Sequence, residues 1–151
     1  MQAKTRIYGK YYFYTLIDRL NGAQSGKNMT YRNRTESDKG IKLSNESCII
    51  CGWNEKDAKG NTLVEGAHIR QFNNTADYDK ADNIVAMCPN HHIEFDVGNL
   101  MIDCAKRSYI RRNSDGTYAQ NQLFGKVDHI QPGYFDYHKI NVFERHNSRL
   151  M

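Results

Sequence analysis

The chain has 151 residues, of which 39% are hydrophobic and 25% are charged, values that fit one globular domain. No apolar run approaches the roughly 18–20 residues of a membrane span, and residues 1–10 lack the apolar stretch of a secretory signal, so we expect a cytoplasmic protein without membrane contact. The net charge of +4 divides unevenly: residues 1–45 carry nine Lys or Arg against three Asp or Glu, residues 46–103 four against ten, and residues 104–151 eight against four. Acidic groups suit a divalent cation and basic groups suit phosphates, although surface charges can also divide this way by chance.

The first predicted elements are short and separated by polar segments. Residues 6–20 are rich in aromatic and β-branched side chains and predict a short strand or helix. Residues 21–45 are polar and basic and predict a long loop, or a segment that orders on binding. Residues 63–69 and residues 83–87 each suit a strand, with a polar loop between them.

The elements that follow are a helix, a hairpin and a second helix. Pro89 suits the first turn of a helix and Gly98 its end. Residues 100–112 alternate enough to predict a strand, and the turn sequence at 113–116 predicts a return strand over residues 117–124. Residues 134–148 predict a helix with four side chains near one face: Phe135, His138, Val142 and Phe143.

Two chelating pairs predict a structural zinc site, namely Cys48-x-x-Cys51 and Cys88-x-x-His91. Zn²⁺ prefers four soft or borderline ligands in a tetrahedron, and a gap of two residues lets one tight turn supply two of them. Gly52 allows the backbone to turn beneath the second sulfur.

Other interpretations of the cysteines remain open from spacing alone. Cys48 and Cys51 are alternatively buried thiols or a redox pair, although a redox pair normally lies in a βαβ setting that this sequence does not predict. Cys104 is an alternative to His91 as the fourth ligand, but it has no partner at chelating distance along the chain. We therefore interpret Cys104 as a core or free thiol.

Three stretches within residues 48–103 resemble the HNH nuclease motif of bacterial restriction-type enzymes. They are Glu65-Gly66-Ala67-His68-Ile69, then Asp82 to His92, then Phe95-Asp96-Val97-Gly98. The resemblance implies an α+β fold whose ββα-metal (HNH, or His-Me finger) core is stabilised by a structural zinc, with a flanking β-hairpin and helices. Together with the charge distribution, this predicts a basic N-terminal extension (1–45), an HNH nuclease core (46–103), and a C-terminal hairpin and helix (104–151) in the same domain.

The resemblance implies a role for each matching residue. His68 would act as general base on a water, and the ordinary pKa of histidine near 6.5 suits that work at neutral pH. Asn83 would fix the loop that orients the His68 imidazole. His92 and Asp96, one helical turn apart, would bind a catalytic Mg²⁺ or Mn²⁺.

One position departs from the family pattern. Many relatives carry a metal-binding His or Asp directly before the general base, where this chain has Ala67. An alanine cannot ligate an ion, so His92 and Asp96 would hold the metal, with Glu65 as a candidate third ligand.

The resulting hypothesis is a metal-dependent DNA endonuclease acting in restriction or phage defence. A mobile-element or phage-packaging nuclease is the runner-up setting. The alternative functions are a catalytically inactive, zinc-stabilised nucleic-acid binding module and a protein-interaction zinc module. DNA would be the partner, and cutting of both strands would need a homodimer or two successive nicks. The residues predicted to contact the DNA backbone are Arg32, Arg34, Arg111 and Arg112.

Overall fold

The helices and strands of the computed structural model, which describes residues 33–71 and 76–147, follow an α+β order. In chain order they are α1 (Arg34–Leu43), β1 (Glu65–His68), 3₁₀ turns at Ala76–Tyr78 and Ala81–Asn83, β2 (Ile84–Met87), α2 (Pro89–Asp96), β3 (Leu100–Asp103), β4 (Ser108–Arg112), β5 (Tyr118–Gln122) and α3 (Pro132–His138), which continues through a π-helical segment (Lys139–Glu144) into a last turn (Arg145–Asn147). The predicted α+β class is confirmed, and the element predicted at residues 6–20 lies outside the described residues.

The strands β1 and β2 form an antiparallel hairpin in which Glu65 lies opposite Met87 and His68 opposite Ile84. Helix α2 follows at once, with Cys88 as its N-cap and Pro89 in its first turn. Gly98 ends the turn after α2 with a φ of +83°, a conformation that favours glycine. The predicted order of strand, loop, strand and helix is confirmed.

Helix α1 occupies part of the segment for which the sequence predicts a loop, and for residues 34–43 that prediction is wrong. The side chain of Asn33 accepts hydrogen bonds from the backbone N–H groups of Thr35 and Glu36 and so caps the helix. A Cβ atom at Gly40 would lie 2.6 Å from the carbonyl oxygen of Ile84, so the glycine lets α1 pack closely on β2. Packing on the hairpin stabilises α1, and a local sequence pattern does not reveal that packing.

The hairpin therefore has a helix on each face. Side chains alternate along β1, so Gly66 and His68 face one side while Glu65 and Ala67 face the other. A Cβ atom at Gly66 would collide with Ser37 of α1, whereas Ala67 belongs to the core cluster that contains Phe95 of α2.

The second sheet has the order β3-β4-β5 and is antiparallel throughout. The sequence predicts one strand over residues 100–112, but a turn at residues 104–107 divides it into two. Arg107 has a φ of +50° in that turn, so a non-glycine residue adopts the left-handed conformation and no glycine marks the break. The predicted turn at 113–116 and its return strand are confirmed.

The C-terminal helical segment packs on the same core as α2. Its predicted inner face is confirmed, because Phe135, His138, Val142 and Phe143 are all buried. Within residues 33–71 and 76–147, none of the helices has the length and apolar character to span a bilayer.

Candidate functional site

Four side chains of the predicted zinc site lie together: Cys48, Cys51, Cys88 and His91, whose ligand atoms are all within 4.8 Å of one another. The His91 Nδ1 atom is 3.6 Å from the sulfur of Cys48 and 3.2 Å from the sulfur of Cys88. A tetrahedral zinc with Zn–S bonds of about 2.3 Å and a Zn–N bond of about 2.0 Å separates sulfur and nitrogen ligands by about 3.5 Å. The spacing and the donor set therefore fit Zn²⁺.

Electrostatics in this group also favour a cation. A hydrogen bond from the Cys88 thiol lowers the pKa of Cys48, and the same bond raises the pKa of Cys88. Burial raises the pKa of Cys51. Negative charge on one sulfur thus opposes ionisation of the others, and a bound divalent cation removes that opposition because it stabilises every thiolate.

The backbone around Cys48 connects the zinc ligands to the rest of the fold. The Cys48 N–H donates to the carbonyl of Trp53, and the neighbouring Ile49 N–H donates to Ala86 of β2. Gly52 has a φ of +78° in this turn, which confirms the reason for a glycine there. Cys104 lies outside the ligand group and packs, half-buried, against the core.

A second group of polar side chains surrounds His92 on α2. The His92 Nδ1 atom is 2.7 Å from Oε2 of Glu65, and the Nε2 atom is 3.3 Å from Oδ2 of Asp96. Glu65 lies at the start of β1 on the face that packs toward α2, so a strand and a helix together position the imidazole. Ala67 lies on the same face but is fully buried, and Glu65 is the acidic side chain of β1 that reaches His92.

His68, at the end of β1, is buried and paired. Its Nε2 atom is 2.8 Å from Oδ1 of Asp79, and both side chains are about 95% buried. The second carboxylate oxygen of Asp79 accepts a hydrogen bond from the backbone N–H of Asn33. The sequence analysis missed Asp79, because an aspartate eleven residues beyond the histidine in a polar loop carries no motif signal of its own.

Asn83 is fully buried and makes three hydrogen bonds to the loop between the strands. Its Nδ2 atom donates to the carbonyls of Arg70 at 2.9 Å and Tyr78 at 2.7 Å, and its Oδ1 atom accepts from the Arg70 N–H at 2.8 Å. These bonds hold the two ends of the loop that contains Asp79.

The arginines predicted to contact DNA lie on different elements. Arg34 is exposed in the first turn of α1, and Arg111 and Arg112 are neighbours on β4. Arg111 is paired with Glu94 of α2 at 2.6 Å. Arg32 lies outside the described residues.

The antiparallel hairpin of β1 and β2, followed at once by α2, gives the strand, strand and helix order of the ββα-metal class predicted from the sequence. Residues 48–103 match the model of the HNH endonuclease family. The match covers 56 of the 151 residues.

A solved structure extends the comparison beyond the domain. A modification-dependent TagI restriction endonuclease has a similar fold, with a TM-score of 0.57 and 21% sequence identity. The similarity covers 76% of this chain, and the matched part spans only 40% of that enzyme's chain. No curated protein sequence matches the chain.

Proposed function

We propose that this protein is a metal-dependent endonuclease that hydrolyses phosphodiester bonds of DNA, with His68 as general base and a divalent ion held by α2. The observation that carries the proposal is the placement of His92 between two carboxylates, next to a strand that ends in His68. The HNH domain supplies the reaction class. A neutral imidazole combined with a carboxylate suits Mg²⁺ or Mn²⁺, with waters completing the shell.

The distances around His92 separate two roles for its carboxylate neighbours. The two ring nitrogens of an imidazole point in different directions, so one ion contacts only one of them. Neighbouring ligands of an octahedral ion with bonds of about 2.0–2.1 Å lie about 3 Å apart. The 3.3 Å between Nε2 and Asp96 suits a shared ion, whereas the 2.7 Å between Nδ1 and Glu65 suits a direct hydrogen bond.

We therefore assign His92 Nε2 and Asp96 as ligands and Glu65 as the group that orients the imidazole. A ligating histidine commonly donates its other N–H to a carboxylate, which fixes the tautomer and raises the basicity of the ligating nitrogen. This assignment changes the role first considered for Glu65, from third ligand to hydrogen-bond acceptor. It also explains why an alanine at position 67 is compatible with ion binding, because the residue before His68 is not needed as a ligand.

The hydrolysis needs a proton acceptor and a fixed substrate. His68 accepts a proton from water, the water oxygen forms a bond to phosphorus, and the bond to the leaving sugar oxygen breaks as that oxygen takes a proton from solvent. Asn83 holds the loop beside His68. The bound ion would supply Lewis-acid stabilisation of the phosphate charge. The zinc, with four protein ligands and no open position, would be structural.

The proposed partner is DNA and the proposed setting is restriction or phage defence in the cytoplasm. The fold similarity to the TagI enzyme, a restriction endonuclease, supports this setting. Arg34, Arg111 and Arg112 would contact the phosphate backbone without reading sequence.

A plasmid cleavage assay tests the proposal. The protein is incubated with supercoiled DNA and Mg²⁺, Mn²⁺ or EDTA, and we expect nicked or linear product with either ion and none with EDTA. His68→Ala should reduce the rate by about 100-fold or more while DNA binding persists. DNA binding by a folded, zinc-loaded protein that never cuts would instead identify the catalytically inactive binding module.

The ligand assignment has its own test in the metal titration. Asp96→Asn should raise the Mn²⁺ concentration at half-maximal rate more than Glu65→Gln does, since the first removes a ligand and the second an orienting acceptor. Isothermal titration of Mn²⁺ into the same variants measures ion binding without catalysis. Equal affinities in all three proteins would show that the ion binds elsewhere.

A further inference from the structure

The buried pair of His68 and Asp79 is not explained by the roles assigned so far. The 2.8 Å separation of Nε2 and Oδ1 is a normal hydrogen-bond distance, and Asp79 is as well buried as the histidine. A carboxylate in such a position is costly unless both oxygens are satisfied. They are, because the second oxygen accepts the N–H of Asn33.

We propose that Asp79 is a positioning residue that selects the catalytic tautomer of His68 and stabilises its protonated form. This inference rests on the proposed function of His68 as general base. An ionised carboxylate only accepts hydrogen bonds, so the His68 Nε2 atom must carry the proton that it shares with Asp79. The lone pair of the neutral ring then lies on Nδ1, a buried atom, and Nδ1 would take the proton from a water admitted to it when substrate binds.

The charge of Asp79 acts when His68 becomes protonated. A negative group in contact with an imidazole favours the imidazolium form, and burial of both groups strengthens the interaction because little water screens it. After water gives its proton to Nδ1, the imidazolium keeps its Nε2–H bond to the carboxylate. Asp79 itself neither gains nor loses a proton.

Helix α1 fixes the position of Asp79. The Asn33 N–H, at the start of α1, binds one carboxylate oxygen of Asp79. The side chain of Glu36 accepts a hydrogen bond from the Ala81 N–H at 2.8 Å, two residues beyond Asp79. Asn83 holds the carbonyl of Tyr78 on the other side. The aspartate thus lies in a short segment that is held by α1 and by Asn83, which keeps its carboxylate aimed at His68.

The test combines Asp79→Asn with Asp77→Asn, an exposed aspartate of the neighbouring 3₁₀ turn. Both variants remove one negative charge, but only the first removes the partner of His68. ¹⁵N NMR of the zinc-loaded protein without DNA reports the tautomer and the pKa of His68. We expect an Nε2–H tautomer in the unaltered protein and, in Asp79→Asn, a His68 pKa lower by about 1 or more. Asp77→Asn should change neither.

Cleavage kinetics supply the second measurement. Asp79→Asn should lower kcat by about 10- to 100-fold, a loss typical for a group that orients another, with little change in KM. The acidic limb of its pH–rate profile should move to lower pH, which a merely structural defect would not cause. Asp79→Glu, which keeps the charge, should hold the acidic limb closer to that of the unaltered protein.

The outcomes separate this proposal from the one on which it rests. A protein that cuts DNA with the same His68 pKa and pH profile in Asp79→Asn overturns the role of Asp79 alone. An Nδ1–H tautomer in the unaltered protein also overturns it, and this measurement needs no variant to fold. A protein that shows the expected tautomer and pKa but cuts no DNA with any divalent ion overturns the proposed function, and the catalytic role of Asp79 with it.

Discussion

The histidine that packs beneath α2 should make the stability of this protein depend on pH. His138 is 2% exposed, and its ring stacks on Phe95 with centroids 3.6 Å apart and planes 5° from parallel. Its Nε2–H donates to the Phe95 carbonyl at 2.9 Å. Burial lowers the pKa of His138 from 6.5 to about 4, because the charged ring would lose its hydration.

The sign and size of the effect follow from this pKa. The unfolded chain takes up a proton at His138 below about pH 6.5 while the folded protein does not, so the free energy of unfolding falls as the pH decreases from that value. At about 1.36 kcal/mol for each pH unit, the free energy of unfolding is lower than at neutral pH by about 2 kcal/mol at pH 5 and by about 3 kcal/mol near pH 4. Above about pH 7 His138 is neutral in both the folded and the unfolded chain, so its titration no longer changes the free energy of unfolding.

Urea unfolding at pH 7.5 and pH 5 measures the effect, with His138→Gln as the test variant, since glutamine offers a neutral donor at both values. Protonation of the zinc ligands also destabilises the protein in acid, so the informative quantity is the difference between unaltered protein and variant. Between pH 7.5 and pH 5, we expect the free energy of unfolding of the unaltered protein to fall by about 2 kcal/mol more than that of the variant. His146→Gln, at an exposed histidine of the same helical segment, serves as control and should change the difference far less, since the His146 charge is a smaller cause of the lowered His138 pKa than burial. A difference that stays constant between the two pH values would refute the argument from burial.

Three further predictions concern the zinc group, the core and the DNA surface. Cys48→Ser should abolish binding of about one Zn²⁺ per chain and lower the melting temperature sharply, because zinc binding is part of the folding free energy. Elemental analysis measures the metal content, and Cys104→Ser, outside the ligand group, should retain the zinc. Ala67→Asp should destabilise the protein by several kcal/mol in urea unfolding rather than add a ligand, because the new carboxylate would lie in the core, and an unchanged midpoint would contradict this. In DNA-binding titrations, Arg112→Gln should reduce the slope of log affinity against log salt by about one. Arg111→Gln should reduce it by less, because Glu94 already pairs with Arg111. Equal slopes in both variants and the unaltered protein would place the DNA surface elsewhere.

The zinc group and the ββα unit were predictable because their signals are local. A gap of two residues between ligands constrains one turn, and Pro89 and Gly98 mark the two ends of one helix. The prediction failed where the structure depends on distant contacts. Helix α1 has no strong apolar face, and its stability comes from packing on a hairpin that follows some twenty residues later in the chain.

The proposed catalytic groups divide in the same way. His92 and Asp96 are one helical turn apart, so their pairing follows from sequence spacing. The contacts of His92 with Glu65 and of His68 with Asp79 join residues on different elements, and no spacing rule predicts them. The break between β3 and β4 was not predicted for another reason. Arg107 adopts a left-handed backbone conformation that glycine usually occupies, so no glycine indicates the turn.

A hairpin of two four-residue strands is too short to hold reacting groups in place by itself, and the surrounding elements stabilise different parts of it. The zinc group joins β2 to the start of α2. Helix α1 covers the face that carries His68 and holds the segment of Asp79. The C-terminal helix supports the far end of α2, where the side chains of His138 and Asn147 donate to the carbonyls of Phe95 and Gly98. The Phe95 carbonyl in the last turn of α2 already accepts the backbone N–H of Gly98, and His138 adds a side-chain donor to it. The two ends of this short helix are therefore held by different contacts, and both contacts help to position the proposed ligands. Loss of His138 should make Asp96 more mobile while the zinc group stays intact.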